Sequence, residues 1–163
     1  MGFPTRKPNR LHGYNYSSNG YYFITICTKE RQCILSNIVG GGAFDAPQSQ
    51  LTDVGLIVKR YILSSNNIEN IVVENYVIMP NHIHLLVCVE GADGTSRAPS
   101  PTNHTIPHMV STLKRLVNQT VGRDVFQRSY HDHIIRDQDD YNAISDYITH
   151  NTQKWNEDCF YMD

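Results

Sequence analysis

Long apolar runs are missing from this chain. The longest, Tyr21 to Cys27 and Ile83 to Val89, fall far short of the roughly 20 residues that span a bilayer, so no membrane-spanning segment is expected. The opening residues, MGFPTRKPNR, carry charge but no apolar segment behind it, and no secretory signal is read there. Cysteine is sparse. Cys27, Cys33, Cys88 and Cys159 form no C-x-x-C pair, which argues against a cysteine-based zinc site and against a dense disulfide framework. Cys27 and Cys88 lie within apolar runs and read as small core residues, in keeping with a reducing cytoplasm. A glycine-rich loop of the Walker type is also absent, so no nucleotide cofactor is expected. Nor is there an overall basic excess, since the net charge is −2 and the pI near 6.4.

What is present suits a single domain over residues 1–163: 40% hydrophobic residues in a chain long enough to bury a core. The charge is unevenly spread. Residues 1–35 place Arg6, Lys7, Arg10, Lys29 and Arg31 against Glu30 alone, and residues 111–136 place Lys114, Arg115, Arg123, Arg128 and Arg136 against Asp124 and Asp132. From Asp137 onward the balance is acidic. The two basic stretches predict a polarised surface if the fold joins them, and ordinary solvated charge if it does not.

Residues 1–19 read as a polar arm. Residues 21–28, rich in β-branched and aromatic side chains, predict a strand. Residues 40–50, GGGAFDAPQSQ, predict a loop. Val54, Ile57, Val58, Tyr61 and Ile62 recur at helical spacing, with Thr52 or Asp53 as the cap. Residues 71–79 and 82–89 predict two strands turning at Pro80-Asn81. Residues 91–107 read as a connector, followed by a helix bearing Met109, Val110, Leu113, Leu116 and Val117. A last strand is expected within 125–136. A terminal helix capped by Asp137 or Asp139 follows, with Ile144, Tyr147, Ile148, Asn151 and Trp155 on one face. This order predicts an α+β fold: a ferredoxin-like antiparallel sheet with helices on one face, plus a C-terminal helix carrying Tyr147.

The chemistry concentrates in Asn81-His82-Ile83-His84. On a strand, side chains two apart share a face, so His82 and His84 project together while Ile83, Leu85, Val87 and Val89 fill the other face. Two adjacent neutral imidazoles make half of a divalent-metal site, or simply two polar residues on a partly solvated sheet. On the terminal helix, Tyr147 and Asn151 stand one turn apart on the inward face and could supply a nucleophile and a third ligand. His150 points more to the side. A second pair, His131 and His133, could compete for a cation. Arg128, Arg136, Lys114 and Arg115 could hold phosphates, and Tyr14, Tyr16, Tyr21 and Tyr22 could stack on unpaired bases, with a core or strand role favoured for the last two.

MPNHIHLLV (79–87) followed far downstream by DYITHN (146–151) resembles the single-tyrosine HUH transposases of insertion sequences, most closely their REP-associated tyrosine transposase branch. The likeness extends to GYNYSSNGYYFITICTKER (13–31), QRSYHDHIIR (127–136) and KWNEDCFY (154–161), and so runs over most of the chain. The resemblance implies that His82 and His84 are metal ligands, Tyr147 the nucleophile and Asn151 the third ligand, with Mg²⁺ or Mn²⁺ as cofactor. It also implies hairpin-bearing single-stranded DNA as the partner, the N-terminal arm with Arg6, Lys7 and Arg10 reading bases beside the hairpin foot. The expected reaction is cleavage and rejoining through a 5′-phosphotyrosine link, in a monomer or in a homodimer that exchanges the tyrosine helix. Thr152 departs from the proline usual after the asparagine. Two other readings stand beside this one: a non-catalytic single-stranded nucleic-acid-binding module on the same fold, and a metal-dependent phosphoesterase that uses water.

Overall fold

Two central strands carry most of the architecture. Strand β1 (Gly20–Cys27) pairs antiparallel with β5 (His82–Val89), and the run of apolar residues along each marks a strand buried on both faces. The computed structural model describes residues 19–42, 45–90 and 105–161. Between the central strands lie β2 (Ser36–Val39), β3 (Gln48–Leu51), α1 (Asp53–Ser64) and β4 (Ile71–Ile78); after them come α2 (Thr105–Val121), β6 (His131–Ile135) and α3 (Gln138–His150). The main sheet runs β4-β5-β1-β6 with every neighbouring pair antiparallel, and β2 and β3 form a separate hairpin. This is the expected α+β, ferredoxin-like arrangement.

The alternation of β5 divides the molecule. Ile83, Leu85, Val87 and Val89 join Tyr22, Ile24 and Ile26 of β1 in the main core, which α1 and α2 close through Val58, Ile62, Met109 and Leu113. Leu86 faces the other way and packs with Ile135 and Ile148, with Phe23, Val77 and Ile144 around them, so α3 lies across the opposite face of the sheet. Helices thus cover both faces, and α3 is the element set over the histidine side of β5.

Four boundaries differ from the sequence expectation, each for a local reason. The 40–50 segment is only partly loop, because Gln48 to Leu51 pairs back on Ser36 to Val39. Its polar composition gives no periodic signal. The 91–107 connector stops short of 105, where α2 begins; Pro107 is tolerated there because first-turn amides lack intrahelical acceptors in any case. The strand expected within 125–136 is confined to His131–Ile135, and Phe126 makes an isolated bridge to Thr28. Trp155 lies beyond the end of α3, on a 3₁₀ turn over Asn151–Glu157. The caps behave as their chemistry requires: Thr52 accepts from the Gly55 amide at 3.1 Å, and Asp137 from the Asp140 amide at 2.9 Å.

Thr52 also ties α1 to the site hairpin. Its hydroxyl donates to Ile34 O and Leu35 O, and the Leu35 amide donates to Pro80 O at 3.0 Å, two residues before His82. Helix α1 can approach this closely only at Gly55, where a Cβ would overlap the Leu35 carbonyl oxygen. Alanine at an open helix position would gain about 1 kcal/mol over glycine. Here Gly55→Ala is expected to destabilise by about 2 kcal/mol through overpacking, read as a lower urea midpoint at unchanged m-value.

Candidate active site

The strand register places His84 opposite Thr25 on one side and Val77 on the other, and His82 opposite Cys27. Both imidazoles are fully buried, with His82 at 0% and His84 at 2% exposure. Their Nε2 atoms face each other at 3.1 Å. The outer nitrogens are held by neighbours. His82 Nδ1 lies 2.9 Å from Asn81 Oδ1, and the Asn81 amide donates its own hydrogen to Phe160 O at 2.7 Å. Asn81 Oδ1 can only accept, so the proton of His82 sits on Nδ1 and a lone pair on Nε2 points at His84. His84 Nδ1 meets the Thr25 hydroxyl at 2.8 Å. Because a hydroxyl donates or accepts, His84 can either give its Nε2 hydrogen to His82 or turn a second lone pair into the gap.

Three further groups converge on that gap. The Tyr147 hydroxyl is 3.4 Å from His84 Nε2 and donates to Asp158 Oδ2 at 3.3 Å. Asp158 Oδ2 is 3.7 Å from His82 Nε2 and also accepts from the Asn151 amide at 3.5 Å. Its other oxygen accepts from the Phe160 amide at 2.8 Å. Asn151, at the C-terminal end of α3, is 1% exposed, and its Oδ1 has no hydrogen-bond partner among the described residues. The ligand atoms of His82, His84 and Asp158 all lie within 4.8 Å of one another. Two imidazole nitrogens and a carboxylate form a donor set that fits a divalent cation, and the buried Asn151 Oδ1, without a partner among the described residues, is a further acceptor on a residue that touches the set through Asp158.

The electrostatics follow from burial. Desolvation pulls His82 down to about 4, with the Asp158 carboxylate opposing the shift, and pushes His84 well below its ordinary value, helped by His82 beside it. Both rings are therefore neutral near pH 7, the form that can ligate. Tyr147 is raised to about 12, first by its half-burial and then by the Asp158 carboxylate, so the free phenol is a poor nucleophile as it stands. Aromatic rings wall the site. Phe23 stacks on His84 with centroids 5.0 Å apart, and Phe160 lies 4.7 Å from His82.

Of the residues singled out in the sequence, His82, His84, Asn151 and Tyr147 meet within one chain. The others are placed elsewhere. Lys114, expected as a phosphate contact, donates to the backbone oxygens of Gln127, Arg128 and Ser129 at 2.8, 3.2 and 2.9 Å and lies over the Tyr130 ring. Its ammonium closes the 127–130 turn, and burial lowers it to about 8. Arg115 is exposed and bonds Gln119 on its own helix; Arg128 and Arg136 are exposed. Arg6, Lys7 and Arg10, with Tyr14 and Tyr16, lie outside the described residues. His133 pairs with Asp140 at 2.8 Å on the exposed edge, and His150 bonds Asp146 O, so neither enters the site. Tyr22 is core, while Tyr21 packs edge-on against Tyr141. Sequence reasoning missed Asp158. Its acidic surroundings read as a solvated tail, and the only local hint is its place between Trp155 and Phe160.

The comparisons with known proteins give a sequence relative over nearly the whole chain and a solved structure of the same fold. No protein-family model matches the chain. An uncharacterized protein of Haemophilus influenzae is 34% identical over 99% of this chain and 96% of its own length. Among solved structures, a REP-associated tyrosine transposase bound to a REP hairpin superposes with a TM-score of 0.62 at 18% identity, over 89% of this chain and 73% of that one. A putative transposase from Deinococcus radiodurans aligns over 88% of this chain and 96% of its own, with 20% identity and a TM-score of 0.43.

The neutral buried pair sets a pH dependence. Below about 6.5 the unfolded chain protonates His82, whereas the folded chain resists until about 4. The stabilising contribution is thus complete above pH 6.5 and is lost as the pH falls toward 4. Metal-free protein should lose about 2 kcal/mol between pH 7 and pH 5 by urea titration. In His82→Gln the loss should be smaller; an equal loss in the variant would assign the effect elsewhere.

Proposed function

The chain belongs to the family of the Haemophilus influenzae protein and has the fold of a REP-associated tyrosine transposase; from that premise we propose that it is a DNA strand transferase that cleaves and rejoins single-stranded DNA at hairpins. The observation that carries the reading is the placement of the Tyr147 hydroxyl 3.4 Å from His84 Nε2, beside a buried imidazole pair and an orphaned amide oxygen. A non-catalytic binding module has no use for a phenol aimed at such a donor set. A phosphoesterase that activates water would not need the phenol there.

In this reading His82, His84 and Asn151 hold a divalent cation, Mg²⁺ or Mn²⁺. Bound there, the cation supplies Lewis-acid polarisation of a phosphate oxygen. The remaining work falls to the chain. Helix α3, fixed by Ile144 and Ile148, holds the Tyr147 oxygen for in-line attack. The phenol oxygen bonds to phosphorus as the bond to the DNA 3′ oxygen breaks. The phenol proton is released, the departing 3′ oxygen takes one up, and a 5′-phosphotyrosine link remains. A second 3′-hydroxyl reverses the step and joins strands, the bond energy having been kept in the link.

Asp158 and Phe160 close the pair from solvent. The carboxylate stands beside the imidazoles as an anion in the place a phosphate oxygen takes, so substrate enters as residues 158–160 draw aside. Their withdrawal also removes the carboxylate that helps hold Tyr147 near 12, which eases loss of its proton.

Two outcomes test this. With a labelled hairpin oligonucleotide and saturating Mn²⁺, the wild type should give a protein–DNA adduct that survives a denaturing gel. Tyr147→Phe should give none, and Asn151→Ala at most a hundredth of the wild-type rate. Cleavage without an adduct would favour the phosphoesterase. Asp158→Asn should form adduct several-fold faster than wild type under the same conditions, and a slower rate would make the carboxylate a required part of the chemistry.

A further inference from the structure

A cavity of about 550 Å³ lies between the β2–β3 hairpin and the 3₁₀ turn that follows α3. Its volume is that of a small-molecule site. It abuts the site just described, because Pro80 and Thr152 in its wall are chain neighbours of Asn81 and Asn151. Trp155 links the two: its ring lies 6.1 Å from the His82 ring on one side and meets Tyr161 edge-on at 5.3 Å on the other.

The lining has a consistent chemistry. Among the described residues that line it there is no acidic or basic side chain, so this lining has nothing to recommend it to a phosphate or a metal ion. It offers instead an aromatic wall and three exposed carboxamides, Asn37, Gln153 and Asn156, none with a side-chain hydrogen bond among the described residues. A carboxamide presents a donor and an acceptor side by side, the pattern found on the edges of the nucleobases, and an indole gives a flat face for stacking. Lysine, arginine and acidic side chains would select a charged ligand. These select a neutral, planar, polar one.

We infer that this cavity receives one unpaired nucleobase of the DNA, next to the scissile phosphate, stacked on Trp155 and read at its edge by Asn37, Gln153 and Asn156. The inference rests on the strand-transferase reading for the identity of the polymer. Trp155 and the three amides lie outside the segment 158–160 that covers the histidines, whereas Tyr161 follows directly on it, so the stacking face assigned to the base is Trp155. Base capture there fixes the register of the strand over Tyr147. The site would then choose its cleavage position by a neighbouring base as well as by the hairpin.

Trp155 is the one tryptophan in the sequence, so its fluorescence reports the cavity directly. The probe is a hairpin oligonucleotide with single-stranded flanks on both sides, set against the same hairpin with abasic flanks, on the full chain with Tyr147→Phe to prevent turnover. The intact flanks should quench the emission and the abasic ones should not. Asn37→Ala and Gln153→Ala should each raise the oligonucleotide concentration for half-maximal quenching about tenfold. In the active chain they should also blunt the preference among flank bases in adduct formation, without abolishing the adduct. Equal quenching by abasic flanks, or an unchanged base preference in both variants, overturns the inference even if the adduct forms normally. Base-dependent quenching with no adduct in the active chain upholds the cavity and overturns the transferase reading instead.

Discussion

Everything at the site depends on the alternation of β5. Ile83, Leu85, Val87 and Val89 commit one side of the strand to the main core, and a pleated strand then has no choice about where His82 and His84 go. A slip of one residue would drive the imidazoles into the main core among isoleucines and turn the apolar row toward α3. That cost pins the register, and the register pins the two Nε2 atoms at their 3.1 Å separation. The site is held by the same burial that holds the fold.

Covering the histidine face creates the chemistry and its difficulty together. Leu86, Ile135 and Ile148 seat α3 on that side, and the same contact drives water from the imidazoles. Desolvation keeps them neutral and ready to ligate. It also raises Tyr147 and leaves the Asn151 oxygen without a partner among the described residues. Neutral donors gathered in a dry pocket, with one carboxylate among them, make an arrangement that could hold a cation. The segment bearing Asp158 and Phe160 supplies that carboxylate and closes the site.

Much of this was legible in the residues. The strand pattern of 82–89, the caps at Thr52 and Asp137 and the four-residue spacing of Tyr147 and Asn151 are local signals, fixed by backbone periodicity and by orphan amides at helix starts. The β2–β3 hairpin was not legible, because Gln48-Ser-Gln is polar and its partner strand lies across a glycine-rich turn. Lys114 looked like any basic residue on a helix. Only packing shows its ammonium enclosed by three carbonyls of the 127–130 turn. Asp158 sits in an acid-rich tail whose sequence suggests solvation, and it lies against His82 because the chain doubles back after α3, a turn with no periodic signature.

The sequence by itself determined which faces the histidines, the tyrosine and the asparagine occupy on their own elements, since 2.0 and 3.6 residues per repeat leave no freedom there. It also determined the α+β order of those elements. Only the tertiary structure decided that α3 lies on the histidine side of the sheet, that Asp158 enters the gap, and that Trp155 divides the site from a neutral cavity. These are relations between segments far apart in the chain, and they are set by which apolar surfaces bury one another, a choice no local periodicity encodes.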